Sequence, residues 1–71
     1  MKVILKVKFN ASNQRMEKFG SNRYLIYLPF GQDNGAEGIL ISLLSKYMGV
    51  PQGRIKFEEF DYNKDWVFDI A

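Results

Sequence analysis

Asn34-Gly35-Ala36-Glu37-Gly38-Ile39-Leu40-Ile41-Ser42-Leu43-Leu44-Ser45-Lys46-Tyr47-Met48-Gly49-Val50-Pro51 is the stretch on which the fold turns. Ala36, Ile39, Leu40, Leu43, Leu44, Tyr47 and Met48 recur at spacings of three and four, which lines one side of a helix with apolar groups. Asn34 is a good N-cap, and Glu37 three residues on completes a capping box with Asn in place of Ser or Thr. Gly49 is placed to close the helix in a left-handed conformation, and Pro51 stops it from continuing. Gly38 within the helix costs about 1 kcal/mol relative to alanine, which predicts a close contact between helix and sheet at that point.

The apolar stripe needs a surface to cover, and the flanking segments supply strands. In residues 3–9, Val3, Leu5, Val7 and Phe9 alternate with lysines, the period-two signature of a half-buried strand. Asn10-Ala11-Ser12-Asn13 has turn chemistry, residues 15–19 read as a second strand, and Gly20-Ser21-Asn22 turns the chain into a third over 23–28. Apolar residues fall on both faces of that third strand, which predicts a central position in the sheet. Beyond the helix, Ile55 begins a fourth strand running to about Phe60, Asp61-Tyr62-Asn63-Lys64 forms a hairpin turn, and Trp66, Phe68 and Ile70 mark the inward side of a fifth. The order is βββαββ, a two-layer α+β domain with one main amphipathic helix. With 71 residues and 46% apolar content, residues 1–71 form one domain, because so short a chain cannot divide its apolar surface between two cores.

Composition removes many chemistries. There are no cysteines and no histidines, hence no disulfides, no thiolate nucleophile or zinc site, and no side chain that titrates readily near neutral pH. A reducing, cytoplasmic setting is expected, with no membrane association, since no apolar stretch approaches the roughly 20 residues that cross a bilayer. The net charge of +2 is unevenly spread. Residues 1–28 carry six basic groups against one acidic, a balance of +5, and residues 29–71 carry four against seven, a balance of −3.

The chain resembles the YggU-like family of small α/β proteins through Val7-Lys8-Phe9-Asn10-Ala11-Ser12, Arg15-Met16-Glu17-Lys18-Phe19, the loop after Pro29 with the helix ending at Gly49-Val50-Pro51, and residues 55–70. The resemblance covers nearly the whole chain in the same order and implies a mixed sheet. It implies no activity, since none is established for the family, and fold does not carry function across. The family's proline near the end of the first strand is replaced here, where Phe9 precedes Asn10-Ala11. Of the family's Pro-Pro-x-x-Gly-Lys-Ala-Asn loop only Ala36 survives, in Phe30-Gly31-Gln32-Asp33-Asn34-Gly35-Ala36-Glu37. In place of its later glycine and Ser-Arg-x-Lys run stand Phe60 and Asn63-Lys64-Asp65-Trp66.

Three surfaces are candidate sites. The unpaired amides at the helix start, around Asn34, Gly35 and Ala36, suit an anion, although Asn34, Glu37 and Asp33 can satisfy those donors or repel it. Lys6, Lys8, Arg15 and Arg23, beside Lys2 and interleaved with Tyr24 and Tyr27, form a basic strand face able to bind nucleic acid, RNA in particular, by phosphate contact and stacking. Acidic strands from the second half of the chain would neutralise that face. Phe30, Phe60 and Tyr62 supply an aromatic interaction surface for a protein partner or weak self-association of an otherwise monomeric chain. Asp61, Asp65 and Asp69 with Glu58 and Glu59 lack the spacing of a metal loop; outward-pointing Asp65 and Asp69 are better used in pairing with strand lysines. No catalytic residue, metal or cofactor is expected. The leading reading is a non-enzymatic binding or interaction module, ahead of nucleic-acid binding through the basic face. An enzyme with no recognisable catalytic motif, using Lys64, Asp33 or Glu37 as acid or base, ranks last.

Overall fold

Alternating residues 3–9 produce the strand about which the rest is arranged. In the computed structural model, which describes residues 1–32 and 35–71, the elements are β1 (Lys2–Lys8), β2 (Arg15–Gly20), β3 (Arg23–Tyr27), α1 (Ala36–Met48), a 3₁₀ turn (Gln52–Arg54), β4 (Ile55–Phe60) and β5 (Trp66–Ile70). They form one mixed sheet of five strands in the order β2-β3-β1-β5-β4, with α1 on one face. β1 and β3 run parallel and every other neighbouring pair is antiparallel. The expected βββαββ order and two-layer α+β architecture are therefore the ones adopted.

Register sorts the side chains by face. Leu5 lies opposite Tyr24 on one side and Trp66 on the other, and Val3 lies opposite Phe68. Their row continues into Ile26, Leu28, Ile55 and Ile70, and meets Ala36, Leu40 and Leu44 from the helix. Val3, Leu5, Ile26, Leu28, Leu40, Leu44 and Phe68 are fully buried, and no polar or charged residue among those described is buried with them. Trp66, Phe68, Phe57 and Phe60 form a ring network with centroids 4.7–6.3 Å apart.

Three details differ from what local pattern predicts. The central strand is β1; β3 lies one strand in from the edge, and its second apolar side, Leu25 and Tyr27, is only half-buried on the open face. Gly38 is exposed, and an added Cβ would meet nothing within 4 Å, so it makes no close helix–sheet contact. Tyr47, at the far end of the apolar stripe, remains 52% exposed, its ring set edge-on against Tyr24 at 5.3 Å.

The helix closes as its sequence dictates. Gly49 adopts φ 71° and its N–H donates to Ser45 O at 2.9 Å, while Ser45 Oγ donates to Val50 O at 2.6 Å. At the other end Gly35 holds the cap position with φ 75° and no side-chain cap bond; Asn34, the expected cap, lies outside the described residues. Both edge strands carry charged residues and an irregularity in register, at Lys18/Gly20 in β2 and Phe57/Glu59 in β4, devices that blunt edge-to-edge pairing. No helix among the described residues is long and apolar enough to cross a membrane.

Candidate binding site at one end of the sheet

Strand directions decide where a site can form. Because β5 is antiparallel to both β1 and β4, the three strands β1, β3 and β4 point the same way. Their C-terminal ends gather at one end of the sheet, where the chain also leaves β3 for α1. The loop after β3 is tied down there: Asn10 N–H donates to Phe30 O and Ala11 N–H to Leu28 O, both at 2.9 Å.

The β4–β5 turn at this end is rigidly built. Asp61 Oδ1 accepts the N–H groups of Asn63 at 2.9 Å and Asp65 at 3.0 Å. Lys64 N–H donates to Asp61 O at 2.8 Å, and Asp61 N–H to Asp65 O at 3.0 Å. Lys64 takes up φ 65°, a left-handed conformation ordinarily left to Gly, Asn or Asp.

Between this turn and the loop after β3 lies an open pocket of about 230 Å³, lined by Gln32, Phe60 and Lys64. Phe60 is 45% exposed and held edge-on by Trp66 at 4.7 Å and Phe57 at 5.1 Å. The aromatic surface and the loop leading into the helix, separate candidates in the sequence, thus border one cavity. Of the aromatic set, Phe30 is half-buried against the core and Tyr62 stands at the tip of the turn, 94% exposed. Of the anion candidates, Gly35 is exposed and Ala36 is buried; Asn34 lies outside the described residues, as does Asp33.

The basic face is partly neutralised, twice by the acidic half of the chain and once from within β2. Lys6 Nζ is 3.8 Å from Asp65, Lys2 pairs with Glu58, and Arg15 pairs with Glu17 while lying over the Tyr27 ring at 5.1 Å. Lys8 and Arg23 are exposed with no ion pair among the described residues. They are four residues of β1 apart in register, Arg23 opposite Ile4 and Lys8 opposite Tyr27, or about 13 Å. Tyr24 does not interleave with them, because its register partner Leu5 fixes it on the helix side, where it is buried.

The acidic residues are dispersed in the same way. Asp65 pairs with Lys6, Asp69 takes the N-terminal amine at 3.3 Å, and Asp61 is used within its turn. Among the described residues no group of three or more such side chains is placed to hold a metal. Sequence reasoning missed the pairing of Gln32 and Lys64 with Phe60. The signal available was Lys64 itself, a long cationic side chain in a turn slot that favours glycine. The chain matches no family model and no solved structure.

Proposed function

We propose that this chain is a non-enzymatic binding module whose ligand occupies the pocket formed by Gln32, Phe60 and Lys64. The observation that carries this reading is the convergence on one cavity of a fixed, half-exposed aromatic ring, a cation and an amide. An apolar wall with a few polar groups is the ordinary make-up of a small-ligand site. Among the described lining residues Lys64 is the one ionisable group. Kinship with the YggU-like proteins is part of the proposal, supported by the order of elements and the matched segments around Ala11, Gly49 and Pro51. A cytoplasmic location rests on the cysteine-free composition.

The test is a fragment screen by NMR on the ¹⁵N-labelled chain. Hits are expected to move the backbone amides of Gln32, Phe60 and Lys64, and to lose most of their effect in Phe60→Ala. A screen without hits, or with hits that cluster on the open face around Leu25 and Val67, overturns the assignment.

A further inference from the structure

Resting on the site just proposed, we infer that the pocket takes an aromatic carboxylate, either as a free acid or as the aromatic residue at the C-terminus of a peptide. Size comes first. A cavity of about 150 Å³ holds a benzene ring, so 230 Å³ accommodates one ring with a short polar substituent. The wall suits a ring because Phe60 is pinned by two neighbours at 4.7 and 5.1 Å and offers its free side without repacking, and aromatic pairs favour offset or edge-on contact.

The polar groups set the substituent. An ammonium donates and cannot accept, and the Gln32 amide can donate beside it. The nearby described carboxylates are committed elsewhere, Asp61 Oδ1 to two backbone N–H groups and Asp65 to Lys6. Among the described lining residues Lys64 is the one cation, and with the Asp61 carboxylate in the same turn a singly charged carboxylate suits the site better than a phosphate dianion, which carries twice the charge to be offset. The backbone points the same way. At φ 65° glycine would sit without strain, so the turn presents a lysine at the pocket in a conformation that lysine seldom adopts.

The experiment titrates the ¹⁵N-labelled chain with four probes: phenylacetate, N-acetyl-glycyl-phenylalanine, N-acetyl-phenylalanine amide and acetate. One of the two aromatic acids is expected to shift the amides of Gln32, Phe60 and Lys64 with a Kd at least about tenfold below those of the neutral amide and acetate, the scale of one charge-assisted contact. Whichever acid binds tighter identifies the source. Lys64→Gly removes the ammonium in a residue that the turn accommodates, and is expected to bring the acid and the amide to equal affinity. Equal affinity for acid and amide in the unaltered chain overturns the carboxylate inference and leaves the binding module standing. If none of the aromatic probes touches Gln32 or Phe60, the aromatic-acid inference falls, and the binding module stands or falls by the fragment screen.

Discussion

Single residues set the first expectations. Gly38→Ala places a methyl group in open space on an exposed helical face, and should raise the unfolding free energy by about 1 kcal/mol through helix propensity alone, measured by urea denaturation. Gly49→Ala carries the opposite sign: nothing crowds the site, but φ 71° is the left-handed region, so a loss of about 1–2 kcal/mol is expected. Lys64→Gly relieves a similar strain while adding freedom to the unfolded chain, and a net change within about 1 kcal/mol of zero should follow. These effects bear on what local sequence encodes. The left-handed stop at Gly49 was legible because the helix pattern ends there and Pro51 follows. The exposure of Gly38 was legible too, since it lies about 180° around the helix from the stripe of Ala36, Leu40, Leu43 and Tyr47, and the expected close contact put the general cost of a helical glycine ahead of that geometry.

At the level of elements, the β4–β5 hairpin is the part whose rigidity the site depends on. Asp61→Ala removes the acceptor of two backbone N–H groups, at a cost of about 1–2 kcal/mol. Amide hydrogen exchange at Asn63 and Asp65 should quicken well beyond the change in the centre of β1; protection that stays even across the chain would show that the turn owes nothing to that carboxylate. Strand existence and the hairpin were readable from alternation and turn residues. Strand order was not: apolar residues on both sides of residues 23–28 mark a strand with neighbours, and β3 does have β2 and β1 beside it. Which strand lies in the middle is settled by the pairing of β1 with β5, more than 60 residues away, and local periodicity holds no trace of that. The parallel pairing of β1 with β3 explains why Tyr24 faces the helix, since its side is fixed by the register with Leu5.

For the molecule as a whole, a domain of this size has little stability in reserve. Phe68, fully buried and packed against the rings of Phe57 and Trp66, is expected to cost about 3–5 kcal/mol when cut to alanine, enough to leave a large unfolded fraction by circular dichroism at room temperature. The charge asymmetry legible in the sequence is partly offset by ion pairs between the two halves, Lys2 with Glu58 and Lys6 with Asp65, while Arg15 is engaged within its own strand by Glu17. Fluorescence anisotropy with labelled oligouridine should therefore show no tight binding at about 0.15 M salt; high affinity falling steeply as salt rises would restore a nucleic-acid role for the open face. The far end of the sheet has its own use. The N-terminal amine donates to Ile70 O at 2.8 Å, Ile70 N–H to Met1 O at 2.8 Å, and Arg54 Nε to Ala71 O at 2.7 Å, so the first and last residues emerge side by side, a full strand length from Phe60 and Lys64. A fluorescent reporter or a surface tether attached at either extremity would leave the cavity clear, and a short splice joining the two, with the chain reopened among residues 11–14, should yield a permuted form with the cavity intact.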